Sequence, residues 1–238
     1  MRAMVTTSLT ALALAGISLA PMVAAAHVGV SSGPGFANTT QEISFGVGHG
    51  CEGSDTYSVR VEIPAGVTSV RATNSDFGKA TVVKDAAGNV TAVEWQKSPE
   101  DVLPGDTNYY KLTIRAKIPN QPFTTIYFPT HQTCRSGDGG LLSTDWVGTP
   151  QSAATADGGM EEPAPSLLVL PARRTGWNKV TVPQAIASLS PYFDDAQIVW
   201  KGNAAHSANG ATLEQIKATA GVTVLTTLAA GDEIWVKY

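Results

Sequence analysis

The chain has 238 residues, a formal net charge of −4 and only 15% charged residues. This weakly acidic composition excludes the basic surface by which proteins bind nucleic acid. After the first 26 residues, no apolar run is long enough to cross a bilayer, so we expect no membrane span once that segment is removed.

The first 26 residues predict a secretory signal peptide. Arg2 gives a basic start, residues 9–19 are apolar, and the small residues Ala24 and Ala26 form an A-x-A cleavage signature. Cleavage after Ala26 would deliver a periplasmic or secreted protein that begins at His27. The remaining 212 residues (238 − 26) suffice for one large β domain or two modest ones.

A histidine at a chain terminus offers two nitrogen donors, the free α-amine and the ring Nδ1. Both can bind one metal ion in a single chelate ring, and Cu(II) heads the divalent affinity series and prefers nitrogen and oxygen donors. Both nitrogens must lose protons before they bind, so copper affinity should fall as the pH drops. The alternative is that cleavage falls before a histidine that binds nothing.

Short segments of alternating apolar and polar residues follow, typical of strands with one buried face. They lie around residues 43–47, 57–63, 67–72, 81–84, 90–95, 110–118, 124–128, 144–147 and 167–170. The segments at 81–84 and 90–95 predict a hairpin. Their regular spacing, with almost no helical periodicity, predicts a mainly β fold, a cupredoxin- or immunoglobulin-like antiparallel β-sandwich.

From about residue 173 the pattern changes to that of a small α+β C-terminal extension. It predicts a short helix at 183–189, a helix capped by Thr212 that runs to about 220, and strands at 197–200, 222–225 and 233–236. His206 is predicted to lie in a solvated loop. The predicted organisation is a signal peptide at 1–26, a sandwich at 27–172 and the extension at 173–238.

Cys51 and Cys134 both lie in the exported part of the chain, where an even pair predicts a disulfide. A bridged pair leaves no thiolate for a type-1 copper site. Because His49 and His131 lie two and three residues before these cysteines, a bridge would bring both histidines close together. They are candidate metal ligands beside His27; the alternative is that they bond to loop backbone next to the bridge.

Copper held by neutral nitrogens favours an anionic oxygen as a further ligand. The candidate carboxylates are Glu42, Glu52, Asp55, Glu100, Asp101 and Asp106. Signatures of enzymes are missing, because there is no Gly-x-Ser-x-Gly elbow, no His-Glu-x-x-His helix and no phosphate-binding loop. The absence of these motifs still leaves open an oxidase that relies on copper alone.

Several segments together resemble the YcnI-like family of exported copper-binding domains. The matching pieces are His27 at the cleavage site, Phe-Gly-Val-Gly-His-Gly-Cys at 45–51, Val-Glu-Ile-Pro-Ala-Gly-Val at 61–67, Tyr-Phe-Pro-Thr-His-Gln-Thr-Cys at 127–134, Asp145-Trp146 and Glu-Pro-Ala-Pro at 162–165. The resemblance covers roughly residues 26–171. The tail is similar to an extension found in some bacterial members.

The resemblance implies a cupredoxin-like sandwich that binds Cu(II) through a single-histidine brace. In that arrangement the terminal amine and imidazole of His27 are joined by a carboxylate, and Trp146 lies close to the metal. The acidic position of the family falls nearest Asp106, ahead of the long central strand. His131 stands where many relatives have an apolar residue, which leaves room for a second nitrogen ligand.

The sequence thus predicts a periplasmic copper(II)-binding protein that acts in copper delivery, storage or homeostasis without turnover of its own. Its partners would be the copper ion and other copper-handling proteins of that compartment. Two alternatives remain, a copper-dependent oxidase or oxygenase and a structural or interaction sandwich that binds no metal.

Overall fold

The computed structural model describes residues 27–152, 154–155 and 159–238, so the signal peptide predicted at 1–26 lies outside the described residues. A 3-10 turn spans Pro99–Asp101 and one α-helix, α1, spans Gly210–Ala218 in the described part of the chain. The strands are β1 (Gly29–Val30), β2 (Gly35–Phe36), β3 (Thr40–Val47), β4 (Asp55–Glu62), β5 (Thr68–Ala72), β6 (Lys79–Lys84), β7 (Val90–Gln96), β8 (Tyr110–Lys117), β9 (Thr124–Tyr127), β10 (Thr130–Arg135), β11 (Leu141–Gly148), β12 (Glu162–Pro163), β13 (Ser166–Leu170), β14 (Trp177–Thr181), β15 (Ile198–Lys201), β16 (Ala204–His206), β17 (Thr223–Val224) and β18 (Glu233–Lys237).

The first thirteen strands build a sandwich from a four-stranded sheet, in the order β1-β3-β8-β5, and a six-stranded sheet, in the order β12-β11-β10-β4-β7-β6. A smaller sheet, β2-β13-β9, adjoins them. Most pairs are antiparallel, whereas β11 with β12 and β13 with β2 are parallel. The predicted mainly β, antiparallel sandwich is confirmed.

The sandwich core follows from side-chain alternation, because successive residues of a strand point to opposite faces of its sheet. Phe45 and Leu112, which are Cα partners on β3 and β8, are both fully buried. Val59 and Trp95 are the corresponding buried partners on β4 and β7. These side chains belong to one apolar cluster, the first core cluster.

The C-terminal residues form a five-stranded sheet in the order β14-β18-β15-β16-β17. Its buried face, with Val199, Ile234 and Val236, belongs to a second core cluster that also contains Phe123 from the turn before β9. The Gln184 side-chain amide donates a hydrogen bond of 2.7 Å to the carbonyl oxygen of Phe123. The second core cluster therefore takes one of its aromatic side chains from outside the extension.

The predicted helix at 183–189 is wrong. The segment is held instead by a β-bridge, in which the Ile186 N–H donates to Leu228 O at 2.8 Å and the Leu228 N–H donates to Ile186 O at 2.9 Å. Ile186 and Leu189 are both buried, so this irregular segment packs on the second core cluster.

Two further expectations about the extension need correction. His206 lies on β16 rather than in a solvated loop, and burial lowers the pKa of its ring. The helix near 212–220 exists, but its N-cap is Asn209, whose side-chain oxygen accepts a hydrogen bond from the Thr212 N–H. Within the described residues, no helix is long and apolar enough to cross a membrane.

Candidate metal centre

His27 lies two residues before β1, which pairs with β3 at the edge of the four-stranded sheet. Val28 is buried beneath that edge, so the chain is tied to the sandwich from its first described residues. The His27 ring meets the Trp146 ring edge to face, with centroids 5.2 Å apart and an interplanar angle of 69°. The resemblance implies that Trp146 lies close to the metal, which stays a prediction; the structure brings its ring into contact with the His27 ring.

A carboxylate also reaches His27, and it belongs to Glu162. Glu162 opens β12 and is the Cα partner of Trp146 on β11, so strand pairing brings it to the tryptophan. Its Oε2 atom lies 3.6 Å from the His27 Nδ1 atom. Nδ1 is buried and has no hydrogen-bond partner among the described residues. The Nδ1 atom is therefore close to an anionic oxygen but too far from it for a hydrogen bond.

Trp146 is fixed by a buried amide. Its indole N–H donates to Gln132 Oε1 at 3.0 Å. The Gln132 amide nitrogen donates in turn to the His49 carbonyl oxygen at 2.7 Å and to Thr56 Oγ1 at 2.9 Å. Because Gln132 is only 1% exposed, breaking these bonds would leave buried polar groups unpaired. The network locks the ring that covers His27.

The loop at 48–54 carries His49 and is pinned by the predicted disulfide, which is confirmed. Cys51 and Cys134 are bonded, with their Cα atoms 5.7 Å apart. The centroid of the His49 ring lies 6.2 Å from that of the Trp146 ring, edge to face, and the His49 Nδ1 atom contacts the carbonyl oxygen of Gly50. His49 is thus a neighbour of the tryptophan that contacts His27.

His131 lies on the other face of its strand. On β10 the buried residues are Thr130, Gln132 and Cys134, whereas His131 points away from the core. Its Nδ1 atom is 2.7 Å from Asp145 Oδ1, and Asp145 is its cross-strand partner on β11. Since Trp146 is the next residue after Asp145, its side chain points to the opposite face. The structure therefore groups His131 with Asp145 and not with Trp146.

Asp106 lies at another cluster. Its N–H donates a hydrogen bond of 3.0 Å to the Gly53 carbonyl oxygen. Burial first, and then the hydrogen bond to Asp55, raise the pKa of the Tyr110 hydroxyl, and the negative charge of Asp106 contributes to raising it. Asp106 as a copper ligand stays a prediction, while Glu162 is the carboxylate within ion-pair distance of the His27 ring in the described part of the chain.

The sequence reasoning missed Glu162 because no spacing rule links it to His27. Its only signal in the sequence is the Glu-Pro-Ala-Pro motif at 162–165. A large cleft of about 1030 Å³ lies elsewhere, between β5 and the β6–β7 hairpin, and none of the predicted site residues lines it. Among the described residues, no three His, Cys, Asp or Glu side chains gather into a metal-binding group.

The fold and the residues around His27 define a β-sandwich with a histidine at one sheet edge. The chain belongs to the family described as "Domain of unknown function (DUF1775)", whose profile matches residues 27–169. This is the YcnI-like family that the sequence motifs resemble. The match covers the sandwich, and residues 173–238 lie beyond it.

Two of the solved structures that match this chain are similar over more than half of its length. One is an uncharacterised protein from Nocardia farcinica described as having an immunoglobulin-like fold, with 23% identity and a TM-score of 0.47 over 60% of this chain and 97% of that chain. The other is a DUF4466 family protein from Parabacteroides merdae, with 10% identity and a TM-score of 0.21 over 78% of this chain and 54% of that chain. No curated protein matches the sequence.

Proposed function

We propose that this protein is an exported copper(II)-binding protein that acts in copper delivery, storage or homeostasis. Signal-peptide cleavage after Ala26 frees the α-amine of His27. That amine and the ring Nδ1 hold the ion together, and the Glu162 carboxylate supplies the anionic oxygen. Trp146 covers the site.

The observation that carries the proposal is the buried Nδ1 atom of His27. It has no hydrogen-bond partner among the described residues, and Glu162 Oε2 is 3.6 Å away. A buried polar atom without a partner costs about 1–3 kcal/mol, so a ligand that binds Nδ1 has a favourable starting point. Nitrogen and carboxylate oxygen form the donor set that suits Cu(II).

The number of available metal-ligand atoms also supports a ligand from the main chain. His27 and Glu162 contribute only two side chains, and no larger metal-binding group of side chains occurs in the described residues. The third donor of the proposed site is a backbone atom. The terminal amine of His27 is the backbone nitrogen that cleavage would release.

The test compares two proteins that differ by one residue, one beginning at His27 and one that retains Ala26. The extra residue turns the amine into an amide but leaves the ring and Glu162 in place. We expect Cu(II) affinity, measured by competition with a chelator of known affinity, to fall by more than the roughly 10–100-fold that loss of an outer partner costs. Equal affinity of the two proteins would refute the brace.

A further inference from the structure

A second group of chemically reactive side chains, formed by Asp55, Lys97 and Tyr110, lies apart from His27. Asp55 is the first residue of β4, and Lys97 directly follows the neighbouring strand β7. The Lys97 N–H donates to the Tyr57 carbonyl oxygen at 3.0 Å, which continues the pairing of β4 with β7. Tyr110 opens β8 in the other sheet of the sandwich.

The three side chains form a closed ring of contacts. Lys97 Nζ lies 2.5 Å from Asp55 Oδ2 and donates to the Tyr110 hydroxyl at 2.7 Å. The Tyr110 hydroxyl donates to Asp55 Oδ1 at 2.6 Å. The Leu103 N–H donates to Asp55 Oδ2 at 2.8 Å. The amine nitrogen is thus in contact with the carboxyl group, and the phenol touches both.

The two charged side chains of this cluster are buried. The side chains of Lys97 and Asp55 are 4% and 0% exposed. Lys97 Nζ lies 4.1 Å from the centroid of the Tyr110 ring and 5.0 Å from that of Phe77. Removing two opposite charges from water is costly, and their attraction often does no more than offset that cost. A neutral product would relieve the cluster of both charges.

We propose that Lys97 and Asp55 join in an intramolecular isopeptide bond. The ammonium group of Lys97 gives one proton to the Asp55 carboxylate, which leaves a neutral amine beside a neutral acid. The Nζ lone pair then attacks Asp55 Cγ. The N–C bond forms, one C–O bond breaks, and the departing oxygen leaves as water with the acid proton and one further proton from Nζ. The products are one amide and one water, so no oxidant, reductant or cofactor is needed.

Tyr110 is the catalytic residue of this step because its hydroxyl touches both reacting groups. It accepts a hydrogen bond from Nζ and donates one to Oδ1, so it can take a proton from the amine while passing its own to the carboxyl group. The packing of the three side chains keeps amine and carboxyl in contact, which replaces a collision between separate molecules.

The bond would give one end of the six-stranded sheet a second covalent link. Cys134 and Arg135 on β10 are the Cα partners of Thr56 and Asp55 on β4, so the disulfide lies next to the proposed amide. The disulfide connects the loop before β4 to β10, and the amide would connect β4 to the end of β7. Together they would hold three neighbouring strands.

Mass spectrometry of the full chain tests the proposal without any substitution. After reduction and denaturation, we expect the protein to be lighter by one water molecule than its sequence requires. Trypsin cannot cleave after an acylated lysine, so residues 85–111 should remain intact and joined to the peptide that ends at Arg60. A wild-type protein of full mass, with separate peptides, would overturn the proposal.

Two variants and one internal control sharpen the experiment. Asp55→Ala removes the electrophile, and Tyr110→Phe removes the proton relay while keeping the ring that packs on Phe77. Both should show no loss of water, and an unchanged linked fraction in Tyr110→Phe would overturn the role of its hydroxyl. Lys179 and Glu233 form an exposed ion pair at 2.8 Å, and their peptides should stay unlinked.

Discussion

At the scale of single residues, the candidate metal centre depends on one ring nitrogen, Nδ1 of His27. His27 Nδ1 is buried against Trp146 without a hydrogen-bond partner among the described residues, although most buried polar atoms in proteins have one. Glu162 lies just beyond hydrogen-bond distance, so an ion between the two groups would satisfy both. In the proposed site the Glu162 carboxylate is therefore a ligand of the ion, and its contribution to Cu(II) affinity can be measured.

Replacing Glu162 with Gln should weaken Cu(II) binding about tenfold or more, because the amide keeps the shape of the side chain but removes the negative charge that balances the ion. The measurement is a competition titration of protein that begins at His27. Glu161→Gln is the matched control, since Glu161 is the neighbouring exposed carboxylate. If both variants bind as tightly as the wild type, Glu162 is no ligand.

The residues of this centre differ in how far the sequence could predict them. His27 follows from the cleavage signature, and Trp146 follows from the family resemblance. Glu162 could not be found from spacing, because it reaches His27 only through the parallel pairing of β12 with β11, a contact between segments that are distant in the chain. The sequence pointed instead to Asp106, which the fold places beside Gly53.

At the scale of strands, the position of Glu162 depends on a close approach between β11 and the two-residue strand β12. Gly148 on β11 is the Cα partner of Pro163. A Cβ atom at Gly148 would lie 2.5 Å from the carbonyl oxygen of Glu161 and 3.0 Å from that of Glu162. Glycine therefore permits the contact that sets Glu162 beside Trp146.

Gly148→Ala should push β12 away from β11 and move Glu162 away from His27. We expect weaker Cu(II) binding together with a loss of stability of about 1–3 kcal/mol from the forced backbone shift, measured by titration and by urea unfolding. Gly137→Ala is the control, because a Cβ atom there meets nothing within 4 Å. Wild-type affinity in Gly148→Ala would mean that β12 does not position a ligand.

Strand alternation explains why most of the sandwich could be predicted. Segments such as β4 and β8 bury one face only, so their apolar residues alternate in the sequence. β10 was missed because its buried face carries Thr130, Gln132 and Cys134, which do not read as apolar alternation. The sequence predicts a helix at 183–189 because a local pattern carries no information about the distant bridge between Ile186 and Leu228.

At the scale of the whole molecule, two core clusters meet on one short stretch around β9. Ile126 packs in the first core cluster, whereas Phe123, three residues earlier, packs in the second. Phe123 also stacks edge to face on Tyr192, with centroids 5.0 Å apart. The extension at 173–238 is therefore seated on the sandwich through a side chain that the sandwich segment supplies.

This arrangement predicts that Phe123→Ala and Ile126→Ala destabilise different parts of one chain. Each should cost about 2–5 kcal/mol, because each leaves a cavity in a packed core. Since a buried side chain stabilises mainly the cluster it fills, hydrogen exchange should accelerate in β14–β18 for Phe123→Ala and in β3, β4 and β8 for Ile126→Ala. Cu(II) affinity should survive Phe123→Ala, because His27 and Trp146 belong to the sandwich. Equal acceleration throughout the chain in both variants would instead show that the two clusters unfold as one cooperative unit.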